Sequence, residues 1–179
     1  MIDQLTRRPA LSTDRLDLRP PATADAPRLA ALANDYDVVA MTGSMPFPFT
    51  LADAEAFVAH AQGCDPAEEA VFVVDLPGEG PIGVIGLDPD GVLAAEVGYW
   101  LGRPYWGRGY ATEAVRAVLG WAARGPWGRR CVTARHIFDN PASAAVLSKA
   151  GFLYTGRVEV RPCRARGEDV LNRWMVWLA

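Results

Sequence analysis

The sequence predicts an α/β fold: a single mixed, mostly antiparallel central sheet of about seven strands, flanked by about four helices. Three observations carry that expectation. β-rich runs at 70–76, 81–87 and 92–101 are joined by "PGEG" and "DPDG", turn chemistry that makes an antiparallel meander. Other stretches place apolar residues at helical spacing between turn signals. Their order is strand, two helices, three strands, helix, strand, helix, two strands, and 179 residues suffice for one domain with a full core.

"LSTDRLDLRP" (11–20) alternates Leu16 and Leu18 with charged residues, which predicts an opening strand half covered by core. Residues 1–10 are read as an N-terminal extension and 11–179 as the domain. From Ala22 to Asp35 the chain turns alanine- and leucine-rich, with Leu29, Leu32 and Ala33 on one helical face, and Tyr36 to Thr42 continues as a short helix. "GSMPFPFT" breaks it with two prolines. Thr50 then caps a helix whose stripe is Ala54, Phe57 and Val58.

After the meander, Val115, Val118, Leu119 and Ala122 form one face of a helix ending near Gly125-Pro126. "RCVTARHI" (130–137) reads as a strand. Asn140 as N-cap, Pro141 at the first helical position and Gly151 as stop bound the next helix. Strands around 152–158 and 170–178 finish the chain.

Composition narrows the function classes. A net charge of −3 and a pI near 5.4 argue against a general nucleic-acid binder. Cys64, Cys131 and Cys163 are far apart and odd in number, without metal-ligand spacing, so the expectation is reduced thiols and no metal site. "MIDQLTRRPA" has no apolar segment behind its arginines, and no run of eighteen apolar residues occurs. A cytoplasmic protein without a membrane span is expected.

"YWGRGYATEA" (105–114) puts two glycines ahead of a helix start. A strand, a glycine-bearing turn and a helix make an anion site, because first-turn N–H groups lack partners and the dipole is positive there. A phosphate-binding Walker loop is excluded, since no GK[ST] follows, and a dinucleotide fingerprint fails at Thr112. From these residues alone, a bare turn and a phosphate cradle are both left open.

Taken with its surroundings, "AAEVGYWLGRPYWGRGYATEA" followed by "HIFDNPASAAVLSKAGF" resembles the GCN5-related N-acetyltransferase (GNAT) superfamily. "LSTDRLDLRP" and "PFPFTLADAEAFV" resemble the branch of ribosomal-protein N-terminal (alanine) acetyltransferases. The resemblance implies the acyl-CoA N-acyltransferase fold, with acetyl-CoA as cosubstrate lying against this stretch. Gly109 and Ala111 match the family's loop, whereas Trp106 stands where Arg or Gln usually begins it. Backbone N–H groups of Gly107, Arg108, Gly109, Tyr110, Ala111 and Thr112 would hold the pyrophosphate, with Arg103 and Arg108 as sources of charge.

In the same resemblance, the strand before the loop pairs its backbone at Tyr99, Trp100 and Leu101 with the pantetheine amides, and Gly98 allows a bulge or splay there. Asn140 and Ser143 match the second coenzyme-contacting element. The tyrosine that protonates the thiolate in many members is replaced by Leu147, so Ser143 is the candidate for stabilising the thiolate.

The implied chemistry is attack of a primary amine, on a protein N-terminus or a small molecule, on the thioester. An alkylammonium must first lose a proton, and Glu96 is the candidate base. Glu113 reads as a first-turn acid favoured by the helix dipole, His136 as a packed strand histidine, and Cys131 as core. Acylation with another acyl group or of a hydroxyl, and a non-catalytic acyl-CoA sensor, are the alternatives. Trp174 and Trp177 fit either the core or a homodimer contact.

Overall fold

The computed structural model describes residues 10–90, 94–124 and 130–179. The read extension, the turn after Asp90 and the helix end near Gly125-Pro126 thus fall largely outside the described residues. The opening strand is divided in two, β1 (Leu11–Ser12) and β2 (Asp17–Arg19), because Thr13 starts a tight turn. Its N–H donates to the Leu16 carbonyl at 2.9 Å, and its Oγ1 accepts from Leu16 N at 3.0 Å. The sheet therefore has eight strands rather than about seven.

A 3₁₀ turn (Thr23–Asp25) leads into α1 (Ala26–Ala33), followed by the single turn α2 (Tyr36–Val39) and by α3 (Leu51–Gly63). Thr50 and Asp53 cap α3 reciprocally, Thr50 Oγ1 accepting from Asp53 N and Asp53 accepting from Thr50 N. The meander is β3 (Ala70–Leu76), β4 (Gly80–Asp90) and β5 (Ala94–Leu101). α4 (Tyr110–Arg124) crosses to β6 (Cys131–Ile137), and α5 (Pro141–Ala150) precedes the hairpin of β7 (Leu153–Cys163) and β8 (Glu168–Leu178). Asn140 Oδ1 caps α5 by accepting from Ser143 N at 3.0 Å, and Gly151, at φ 99°, ends it. Both hairpin strands run longer than their apolar cores suggest: β8 alternates buried and exposed residues, and β7 pairs with it as a largely exposed edge strand.

The strand order is β1-β2-β3-β4-β5-β6-β8-β7, and β5–β6 is its one parallel pair among the described residues. α4 and α5 cover one face, where Phe72, Ile85, Val97, Val115, Leu119, Leu147 and Met175 form the larger core. α1 and α3 cover part of the other with Leu29, Val58, Val73 and Val84. β5 thus sends Ala95, Val97, Tyr99 and Leu101 to the α4–α5 face, and Glu96 and Trp100 to the α1–α3 face.

That frame matters because β5 and β6 stay together only briefly. They pair at Ala94–Cys131, Ala95–Val132 and Glu96–Thr133, and then each continues without the other.

Candidate active site

β5 keeps β4 as its partner along its whole length, in unbroken register from Asp90–Ala94 to Gly83–Leu101. Gly98 sits opposite Gly86 with no bulge, so the opening comes from loss of β6 on the other side. The phase of the ladder is set where Gly102 N–H donates to the Ile82 carbonyl at 2.9 Å. Antiparallel alternation then points the N–H and C=O of Trp100 at β4, and those of Val97, Tyr99 and Leu101 into the opening. This corrects the sequence reading for Trp100, whose side chain packs with the α1–α3 core instead, and it adds Val97. The Leu101 carbonyl is already engaged by Trp106 Nε1 at 2.7 Å. Trp106 therefore pins the loop to β5.

Beyond that pin, Gly107 and Gly109 adopt φ of 74° and 82°, a left-handed backbone that side chains other than glycine rarely take. A Cβ on Gly107 would meet nothing within 4 Å, so this backbone faces open space. The first helical bond of α4 runs from Glu113 N to Gly109 O at 3.1 Å. The N–H groups of Tyr110, Ala111 and Thr112 ahead of it have no helical acceptor.

Arg15, from the β1–β2 turn, completes this corner. Its guanidinium donates to the Arg108 carbonyl at 3.0 Å, pairs with Glu113 and lies 4.7 Å from the centre of the Tyr110 ring. Glu113 also accepts from Thr13 Oγ1 at 2.6 Å and from Arg15 N at 3.0 Å. Burial favours the neutral acid here, but the hydrogen bonds from Thr13 and Arg15 outweigh it and hold the Glu113 carboxyl below its usual range. Its role exceeds the dipole argument: it ties the sheet edge to the glycine loop. Arg15, Gly109, Thr112, Arg116 and Lys149 line a groove of about 650 Å³. Arg103 has another duty, pairing with Asp37 at 2.7 Å, so it is not directed at this corner.

Glu96 stands at the last paired residue of the parallel ladder, on the α1–α3 face. Its carboxylate is 3.2 Å from the Arg135 guanidinium, and Asp88 is its cross-strand neighbour on β4. Loss of hydration raises its pKa, Arg135 works against this, and Asp90 and Asp88 add to the rise. On the opposite face, the half-buried Tyr99 places its hydroxyl 2.9 Å from Ser143 Oγ. Its phenol is pushed up to about 12 by burial, with the Ser143 hydrogen bond acting the other way. Leu147 is fully buried in the larger core.

Against this geometry, residues 15–153 match the family profile described as Acetyltransferase (GNAT) domain. The chain belongs to the GNAT acetyltransferase family. Solved structures agree in fold. Microcin C7 self-immunity acetyltransferase MccE, solved with acetyl-CoA and AMP, is 20% identical with a TM-score of 0.81, over 99% of each chain. Ribosomal-protein-S5-alanine acetyltransferase from Vibrio fischeri is 20% identical with a TM-score of 0.78, over 95% of this chain and 96% of the other. RimJ from Mycobacterium smegmatis, in complex with CoA-disulfide, is 19% identical with a TM-score of 0.79, over 94% and 88%.

As a GNAT acetyltransferase the protein is an enzyme of acyl transfer. Among the described residues, no cluster of His, Cys, Asp or Glu suits a metal ion, and no helix is long and apolar enough to cross a membrane. His136 is buried, with Nε2 2.9 Å from the Tyr154 hydroxyl. Cys131 is half-buried in β6 rather than fully core. Trp174 is buried, its Nε1 donating to Glu159 at 2.9 Å, and Trp177 packs half-buried against the larger core. Arg15, which meets Arg108 and Glu113, Arg135 and Asp88, which neighbour Glu96, and Val97, which faces the opening, were not singled out by sequence reasoning.

Proposed function

We propose that this protein transfers the acetyl group of acetyl-CoA directly to a primary amine, on a protein N-terminus or a small molecule. The observation that carries the reading is the opening between β5 and β6, with a carboxylate on one face and a serine hydroxyl on the other. Unpaired strand backbone accepts an extended amide-bearing arm as it would another strand. Val97 and Tyr99 offer their N–H and C=O groups to the pantetheine arm, Asn140 holds α5 in place beside it, and the N–H groups from Gly107 to Thr112 meet the pyrophosphate. Arg116 and Lys149 bring positive charge to the adjoining groove, where Arg15 is paired with Glu113.

In the reaction, the neutral amine attacks the thioester carbonyl, so a C–N bond forms and the C–S bond breaks. A backbone N–H on β5 stabilises the oxyanion. Glu96, directly or through a bridging water, takes the proton that the arriving ammonium must lose before it can attack. The sulfur leaves as a thiolate that accepts a hydrogen bond from Ser143, takes up the proton that the nitrogen sheds after attack, and is released as coenzyme A. Base and thiolate partner sit on opposite faces of the sheet, which keeps incoming amine and outgoing thiol apart.

Thiol release from acetyl-CoA across a panel of primary amines tests the proposal. Saturable turnover with formation of the acetylated amine is expected. Saturable binding of coenzyme A without turnover on any amine makes the protein a sensor, and turnover only with alcohols moves it to O-acylation.

The glycine loop gives a second expected result. Gly109→Ala forces a side chain into the left-handed region and places Cβ 3.4 Å from the Arg15 guanidinium. The dissociation constant for coenzyme A should rise about tenfold, the equivalent of about 1.4 kcal/mol. Gly156→Ala is the control in calorimetry: its φ of 83° carries similar strain, but it lies in β7. Affinity there should stay at the wild-type value.

A further inference from the structure

We propose that the Tyr99 hydroxyl is a positioning group for Ser143: it donates to the serine Oγ and turns the serine's own hydrogen toward the sulfur of the departing thiolate. The inference rests on the reading of Ser143 as the thiolate's partner and adds the residue through which that hydroxyl is aimed.

Two oxygens of Ser143 lie near the phenol, Oγ at 2.9 Å and the backbone carbonyl at 3.4 Å. A carbonyl only accepts, so the phenol hydrogen serves both contacts when Tyr99 is the donor. The reverse arrangement would spend the serine's one hydrogen on the phenol and leave none for sulfur. Burial keeps the phenol protonated, with its pKa near 12, so the donor is always in place.

Ser143 needs such a partner because of where it stands. Serine in the first turns of a helix readily back-bonds to a carbonyl three or four residues earlier. Asn140 Oδ1 fixes the Ser143 backbone at 3.0 Å, and its main-chain carbonyl already accepts from Ala144 N at 3.3 Å. The remaining freedom is rotation of the hydroxyl. Tyr99 reaches it from β5, the neighbouring wall of the same opening, across 44 positions of sequence.

The test is a double-mutant cycle on kcat at saturating amine, with the KM for acetyl-CoA measured alongside. Ser143→Ala should lower kcat. Tyr99→Phe should lower it about tenfold, the scale of one oriented hydrogen bond, with the KM for acetyl-CoA unchanged. The double variant should be no slower than Ser143→Ala alone, because Tyr99 acts through the serine. A wild-type kcat in Tyr99→Phe, or a double variant slower by the product of both effects, overturns the inference while leaving Ser143's role intact. A wild-type kcat in Ser143→Ala removes the reading of Ser143 and the inference with it. Should Tyr99→Phe fail to fold, a ring-fluorinated tyrosine at position 99 keeps the shape and donates more strongly. Its kcat should equal or exceed wild type with Ser143 present, and a kcat below wild type overturns the inference.

Discussion

Glu96→Gln lowers kcat about a hundredfold near neutral pH, the lower end of what a general base contributes, and leaves the affinity for coenzyme A unchanged. The amide keeps the shape beside Arg135 but cannot take the proton of the incoming amine. The deficit shrinks as pH rises toward the pKa of the acceptor, because more amine then arrives neutral. The wild-type profile has a matching signature. Glu96 must be ionised to act, and lost hydration raises its pKa, so the acid limb of kcat/KM lies above the ordinary carboxylate range. Arg135, 3.2 Å away, restrains that rise. Arg135→Gln therefore moves the acid limb further up, and a limb that stays in place or moves down contradicts the assignment of the base.

Asp25→Asn lowers stability by about 3 kcal/mol near neutral pH, the scale of breaking a buried ion pair. Both Asp25 oxygens accept from the Arg19 guanidinium at 2.8 Å, and one also accepts from Ala22 N at 2.8 Å. The residue is 5% exposed. Burial alone would raise its pKa, but the hydrogen bonds from Arg19 and Ala22 prevail and hold the carboxyl below its usual value. Stability from such a group is fully present above the unfolded pKa of about 3.9 and is lost as pH falls through the folded value. Thermal melts should show the variant about 10 °C lower at pH 7, with the gap closing below about pH 4. Arg19 also binds Asp75 on β3, so this pair ties β2, the start of α1 and the central sheet together.

Much of the frame was legible from sequence because its signals are local. Thr50, Asn140 and Gly151 announce the ends of α3 and α5 through side-chain capping and a left-handed stop. The meander follows from turn chemistry, and the glycine loop from its place between strand and helix. The proposed site starts from residues the sequence already singled out, Glu96, Ser143 and the loop. What escaped depends on long-range register. That Val97 faces the opening and Trp100 faces β4 follows from one hydrogen bond, Gly102 N to Ile82 O, which no residue pattern encodes. Arg15 reaches Glu113 across 98 positions, and Arg103 turned to Asp37 although its sequence place suggested phosphate. Tyr99 read as a backbone contact, yet its hydroxyl meets α5.

Backbone amide shifts on titration of coenzyme A into the isotope-labelled protein test the central claim most directly: the opening and the glycine loop form one coenzyme site. The largest changes should fall on the N–H groups of Val97 and Tyr99, on Gly107 to Thr112 and on Ser143, with those of Trp100 affected less because they face β4. Saturation with the main changes elsewhere, or with the Val97 and Tyr99 amides unmoved, would contradict it.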